Sequence, residues 1–533
     1  MYGRRPTITS VHGMVAAAHP LAAQAGARLL ASGGNAFDAA VATAAALNVV
    51  EPYMSSLAGQ GLATVYSAKD KRVRCLDFVP RMPRKFPVDK LSSREQLQRG
   101  AIGTGVPGNF GGWAELVKAY GTKPLSEILA PAVALARDGY PLIEFNIYET
   151  NEARAQLAAH PDLYPEWVKT YTFGRGSVEL GELLKQDDLA KTLDALGKEG
   201  PGLLYGGTLG KAIVARLTAL GGVMEMADLE AFKPIWREPL TVAYRGLDIS
   251  CPPPPCEGFQ FSLTMRILEG FDLARLPRNG VEHLDIVWRA IRLAAGVRLA
   301  HNGPSPERLA EMLSDANVAK LRARVEDGKP IVGPTEQWTA PASTGAADQH
   351  TTSFSIADKA GNLVCITQSI GSPFGSGVIV PGTGLCLNNF LYWSDVNPKS
   401  PNRATPGGDL HMCVTPTISM RGKDAVLALG TPGSYGILQT QVQALVQHLD
   451  YGLPLQDAIE APRARLWDGA IVEPEARFEQ PVLDQLRRRG HAVTPGEPWT
   501  MRVGGMQAVS RDPKTGILVG ACDPRRDGYV ATP

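Results

Sequence analysis

The stretch HTTSFSIADKAGNLVCITQSIGSPFGSGV, residues 350–378, decides how the rest of this 533-residue chain is read. SFSIAD and LVCITQS are rich in strand-forming residues and flank the turn Lys359-Ala360-Gly361-Asn362, so they are expected to pair as an antiparallel hairpin. Thr351, Thr352 and Ser353 stand at the head of its first strand. Just upstream, residues 330–350 (PIVGPTEQWTAPASTGAADQH) lack pattern and are dominated by Gly, Pro, Thr, Ser and Ala, which predicts an exposed segment.

A loop abutting a Thr at the start of a sheet strand is the layout of an autoprocessing enzyme. The Thr351 hydroxyl would attack the His350 carbonyl, and hydrolysis of the ester would free Thr351 as a new N-terminus. Its α-amino group, with a reference pKa of about 7.7–8.0, is then a base beside the nucleophilic hydroxyl, and neither histidine nor carboxylate is required. The same three residues also fit a plain strand start, because Thr favours β-structure and Ser favours strand edges and turns.

Working outward, GKDAVLALG, MQAVSRD and ILVGACD supply further strands, so the C-terminal third is strand-dominated. The N-terminal part is helix-dominated. Residues 21–32 form an alanine-rich helix ending at Gly33-Gly34, and Asp38 opens a second, AAVATAAALNVV, so small that another element must pack close to it. Residues 62–79 read as a hairpin around Lys69-Asp70-Lys71, and residues 125–138, 184–196, 211–220 and 284–301 read as helices. The stiff CPPPPCEGFQ at 251–260 leads into another. Gly103, Gly105 and Gly108 match a phosphate-cradling loop only weakly, lacking a GK[ST] ending or a preceding βαβ pattern, and backbone geometry explains them better. Together these elements predict an α+β layered architecture.

The 54 Lys+Arg balance 53 Asp+Glu, leaving a formal charge of +1 and no electrostatic reason to expect nucleic acid or an anionic membrane as partner. A small molecule, or another copy of the chain, is the expected partner. The seven cysteines, at 75, 251, 256, 365, 386, 413 and 522, are scattered without a C-x-x-C pair and read as buried small hydrophobes. His12, His19, His283, His301, His350 and His411 show no ligand spacing, so no metal and no organic cofactor is expected. MYGRRPTITSVHG contains no apolar run, no secretory leader is read there, and no apolar run reaches the ~18 residues of a membrane span. The cytoplasm is the expected compartment.

Several blocks resemble the γ-glutamyltransferase family, in order from about Gly13 to Arg525: GMVAAAHPLAAQAGARLLASGGNAFDAAVATAAALNVVEP, GVPG at 105–108, YGTKPLSEILAPAVALARDGYPL at 120–142, TTSFSIADKAGNLVCITQSI with FGSGVIVPGTGLCLNN at 351–389, GTPGS at 430–434 and ACDPR at 521–525. The resemblance implies an N-terminal-nucleophile hydrolase with a four-layer αββα sandwich of two stacked antiparallel sheets. It also implies self-cleavage into a large subunit, 1–350, and a small one, 351–533, that stay together as a heterodimer, with further dimerisation left open. Thr351 matches the nucleophile. Ser369 stands where the family has a hydroxyl residue that activates it, and Gly433 and Ser434 stand where a Gly-Gly pair forms the oxyanion hole.

The family's acyl pocket is less well matched. Gly371 replaces an Asn that grips the substrate α-amino group, and Phe390, Tyr392 and Trp393 occupy places of acidic or amide residues. Val79 takes the place of the carboxylate-binding Arg, with Arg81 two residues on and on the same strand face, and Met412-Cys413 replaces a Ser-Ser pair. An ammonium without its carboxylate partner costs several kcal/mol, whereas the aromatic trio suits an apolar or planar acyl group, or ordinary core packing. The leading expectation is a self-cleaving Thr amidohydrolase of this family with a non-standard, acylase-like acyl pocket. The alternatives are a genuine γ-glutamyltransferase or glutathione hydrolase using Arg81, and a non-catalytic binding protein on the same fold.

Overall fold

The computed structural model describes residues 5–331, 350–467 and 469–533. The strands of its two large sheets, in chain order, are β1 (Ile8–Ser10), β2 (Gly13–Ala17), β3 (Gln60–Ser67), β4 (Arg72–Asp77), β5 (Ile235–Arg237), β6 (Leu240–Tyr244), β7 (Leu247–Cys251), β8 (Thr352–Asp358), β9 (Leu363–Ser369), β10 (Thr417–Arg421), β11 (Asp424–Gly430), β12 (Gln507–Arg511), β13 (Leu518–Cys522) and β14 (Tyr529–Ala531). They form two seven-stranded sheets, one in the order β14-β2-β8-β9-β3-β4-β5 and the other β1-β13-β12-β11-β10-β7-β6. Every neighbouring pair in both sheets is antiparallel.

The sheets stack. Met14, Ala16, Ala357, Leu363 and Cys365 of the first sheet share one buried apolar cluster with Ile418, Ala428, Val509 and Leu518 of the second. On its outer face the first sheet buries Val15, Phe354, Ile356, Val364 and Ile366 against the helices Pro20–Ala31 and Ala36–Val50. The second sheet does the same with Ile249, Leu427 and Leu429 against the helices Phe259–Leu268, Val281–Ala300 and Ile437–Leu449. The order is therefore helix, sheet, sheet, helix, the expected αββα sandwich. β2, β3, β8 and β9 are buried throughout because they are covered on both faces.

Local chemistry accounts for the elements. Asn35 and Asp38 make a reciprocal capping box, so the second helix starts at Ala36 rather than at Asp38. All 15 of its residues are buried, and a Cβ on Gly26 would overlap the Thr43 hydroxyl, which is why this helix pair is built of small side chains. Gly361, at φ 89°, turns the β8–β9 hairpin. The glycines of GTGVPG answer to close packing: a Cβ at Gly103 would overlap the Leu97 carbonyl, and one at Gly108 the Phe78 carbonyl. All seven cysteines are buried. The expectation of an exposed segment over 330–350 falls mostly on 332–349, outside the described residues. Its last residue, His350, is buried rather than exposed. Among the described residues no helix is long and apolar enough to cross a membrane.

Candidate active site

Strand pairing sets the centre of the site. In the β8–β9 ladder Thr352 faces Gln368, which puts Thr351 across from Ser369. The Thr351 hydroxyl donates to Ser369 Oγ over a long 3.4 Å, and Ser369 Oγ in turn donates to the His350 carbonyl oxygen at 2.7 Å. Ser369 Oγ also accepts the Gly371 N–H at 3.1 Å. A hydroxyl has one proton to give. In this uncleaved chain Ser369 spends it on the His350–Thr351 carbonyl, leaving its lone pair for the Thr351 hydroxyl.

Buried charges surround that peptide. Arg526 Nη1 donates to the Thr351 carbonyl at 3.1 Å, and Thr352 donates its hydroxyl to Glu51 Oε2 at 2.8 Å. His350 Nε2 lies 2.7 Å from Glu149 Oε2, with both side chains wholly buried. Burial pushes the Glu51 carboxyl up to about 7, against the pull of the Thr352 hydroxyl and Arg526. Glu51, Glu149 and Arg526 were not singled out from the sequence. Glu51 left a trace there, as a charged residue closing a mostly apolar helix. Glu149 left none, because NIYETNEARA is an ordinary polar helix sequence.

Gly433 and Ser434 follow β11 in a turn that begins a short 3-10 segment and then the helix Ile437–Leu449. Their φ values are 127° and 52°, and among the described residues no hydrogen bond takes up either N–H. The turn lies against the segment that packs on Arg526: a Cβ on Gly433 would sit 3.4 Å from Gly504 Cα, one on Gly505 would sit 2.6 Å from Cδ of Arg526, and Arg526 donates to the Thr351 carbonyl. Arg465 fixes the turn by donating to the Gly433 carbonyl at 2.7 Å. Two N–H groups at a helix start are a ready-made anion site.

The acyl-pocket residues separate into two groups. Gly371, at φ 103°, touches the centre through its N–H, and a Cβ there would overlap Asn389 Oδ1 and lie 3.5 Å from the Trp393 ring. Trp393 is half-buried, while Phe390 and Tyr392 are buried in an apolar cluster with Met412. Of the three aromatics, two pack as core and only Trp393 keeps an exposed face. Cys413 is buried in the other helix layer, its thiol pushed up to about 12 by burial. Arg81 is partly exposed and already held by Asp409 at 2.9 Å and Asp77 at 3.9 Å. Asn388 ties Gly105 to the site, accepting its N–H at 2.9 Å and donating to its carbonyl at 2.8 Å.

A sequence model of the γ-glutamyltranspeptidase family matches residues 22–532. The chain is 34% identical over 538 residues to the acylase ACY 1 proenzyme of Pseudomonas sp. strain V22, with 98% of this chain and 93% of that one covered. It is 30% identical over 543 residues to the glutathione hydrolase proenzyme of Bacillus subtilis strain 168, with 97% and 90% covered. Among solved structures it superposes on the cephalosporin acylase from Bacillus halodurans with a TM-score of 0.92 and 30% identity, covering 100% of this chain and 98% of that one. By the span of the family match, and by relatives aligned over nearly its whole length, this chain belongs to the γ-glutamyltranspeptidase family.

Proposed function

We propose that the protein is a self-cleaving amidohydrolase in which Thr351 attacks first its own His350–Thr351 peptide and then a small acyl amide. One observation carries this reading: the Ser369 hydroxyl donates to the His350 carbonyl at 2.7 Å while accepting from the Thr351 hydroxyl, so nucleophile and electrophile share one polarising group. On this reading the products are a large subunit, 1–350, and a small one, 351–533. They stay associated because β8 and β9 of the small subunit lie between β2 and β3 of the large one, and parting them would break both sheets.

In the cleaved enzyme the Thr351 α-amine takes the hydroxyl proton as Oγ1 attacks the amide carbonyl. The Gly433 and Ser434 N–H groups hold the oxyanion, each donor being worth about 3–4 kcal/mol, the amine leaves, and water or an acceptor amine resolves the acyl-enzyme. The acyl group meets Gly371 and the open face of Trp393, with Phe390, Tyr392 and Met412 as the wall behind, Cys413 on the far side in the other layer and Arg81 at the margin. Arg81 already carries two carboxylate partners, so a substrate carboxylate would have to compete with Asp409 and Asp77. That favours an acyl group other than γ-glutamyl, and the acylase name of one relative agrees with it.

Intact mass under denaturing conditions tests the cleavage: two fragments parting at His350–Thr351 are expected. One unbroken chain would overturn it and bring forward a binding protein on this fold. A screen of anilides then tests the acyl group, and a tenfold preference for γ-glutamyl anilide over apolar acyl anilides would install a glutathione-hydrolase reading instead.

A further inference from the structure

The residue before the scissile bond is itself gripped. Glu149 projects from the helix Glu144–Leu157, and its carboxylate meets His350 Nε2 at 2.7 Å in a pocket where neither side chain is exposed. Among the described residues Glu149 Oε1 and His350 Nδ1 make no hydrogen bond, so the hydrogen bond between the two side chains is the one each makes here, with the charge of Arg526 attracting Glu149 besides. A buried carboxylate that loses its hydrogen-bond partner is costly. Here the partner is the residue that self-cleavage would turn into a chain end.

We propose that Glu149 is a positioning residue for cleavage of the His350–Thr351 bond, acting through the His350 side chain. The inference rests on the reading of Thr351 as the nucleophile. The peptide is held at three consecutive points: the His350 ring by Glu149, the His350 carbonyl by Ser369 at 2.7 Å, and the Thr351 carbonyl by Arg526 at 3.1 Å. Rotation about the His350 backbone would swing the carbonyl away from the Thr351 hydroxyl, and the ring contact prevents that rotation. Thr351 Oγ1 then bonds to the His350 carbonyl carbon, the C–N bond breaks and the Thr351 nitrogen receives the hydroxyl proton. Solvent water hydrolyses the ester, giving a His350 carboxylate and a free Thr351 amine. The new carboxylate carries the same sign as Glu149, so the grip weakens once its task is done.

The test follows fragment appearance by mass over time in freshly synthesised wild-type, Glu149→Ala, Glu149→Gln, His350→Ala and double-alanine chains. Misplacing reacting atoms by about 1 Å costs on the order of 100-fold in rate, so Glu149→Ala should split at least about tenfold more slowly than wild type. Glu149→Gln, whose amide oxygen still accepts from Nε2–H, should recover to within about threefold of wild type. The double variant should be no slower than His350→Ala, since both changes remove one contact. A wild-type chain that never splits overturns the nucleophile assignment itself. A wild type that splits while Glu149→Ala keeps pace overturns only the present proposal, as does a Gln variant as slow as Ala or a double variant slower than either single. Each variant is also made with Thr351→Ala, where cooperative thermal unfolding of the uncleaved chain separates slow chemistry from failed folding.

Discussion

The Glu51 carboxylate accepts the Thr352 hydroxyl at 2.8 Å, one residue past the proposed nucleophile and out of reach of water. Burial raises this acid from 4.5 to about 7. Because the folded chain binds its proton more tightly than the unfolded chain, stability contributed by the protonated form is present below about 4.5 and is lost as pH rises towards about 7. The full difference is on the order of 3 kcal/mol. Glu51→Gln should flatten the fall in thermal midpoint between pH 5 and pH 7 in the Thr351→Ala chain. An unchanged slope would show that Glu51 titrates elsewhere.

Ser369→Ala removes the one donor to the His350 carbonyl among the described residues. Loss of a single oxyanion donor costs about 10²–10³ in rate, so fragment formation should slow by about that factor, while Ser369→Thr, which keeps the hydroxyl, should process within about tenfold of wild type. The half-time of fragment appearance on a denaturing gel checks both.

Gly371→Asn, which installs the residue that the family resemblance implies at this position, should not create a γ-glutamyl pocket. Position 371 sits at φ 103° and a Cβ there would overlap Asn389 Oδ1, so a side chain is strained there and either the Asn389 amide or the backbone beside Ser369 must give way. A loss of about 1–3 kcal/mol and slower self-cleavage are expected. A rise in γ-glutamyl anilide hydrolysis would contradict this.

Ser434 holds a left-handed φ of 52° and a buried hydroxyl that has no hydrogen-bond partner among the described residues. Ser434→Gly relieves both while keeping the backbone N–H. It should raise stability by about 1 kcal/mol and leave kcat within about threefold, read by thermal unfolding and anilide turnover. A collapse in kcat would assign the work to the hydroxyl instead of the N–H.

Behind the site Arg525 pairs with Glu475 at 2.6 Å and Asp523 at 3.0 Å, all fully buried. Burial alone would raise the Asp523 carboxyl, but Arg463 and Arg525 outweigh it and hold it down at about 2. Arg525→Met removes one of two cations from each acid, leaving Asp523 to Arg463 and Glu475 to Arg477, and should cost about 2–3 kcal/mol, seen as a lowered thermal midpoint.

Much of the fold is local in origin and was legible. The β8–β9 hairpin, the small-residue helix pair and the helix 125–138 follow from turn residues, caps and apolar period within a few positions of themselves. Boundaries moved by two or three residues: at Asn35 through its capping box, and at the helix Asp187–Glu199, expected to start at 184, because Leu183 and Leu184 pair with Pro141 and Tyr140 as a short strand. Family resemblance carried Thr351, Ser369, Gly433 and Ser434 as single positions, and register then set Ser369 against Thr351. It did not carry their surroundings.

By itself the sequence determined which segments become strands and helices, where a threonine hydroxyl meets a strand start, and that the residues matched to the acyl pocket depart from the family pattern. Only the tertiary structure decided what lies around the His350–Thr351 peptide. Glu149 reaches His350 across 201 positions, Glu51 reaches Thr352 across 301, and Arg526 reaches Thr351 across 175. It also decided that Trp393 keeps an open face while Phe390 and Tyr392 become core. The physical reason is range: backbone propensity and period act over a turn or a strand, whereas a buried carboxylate acquires its partner only when sheets and helices close over it and exclude water.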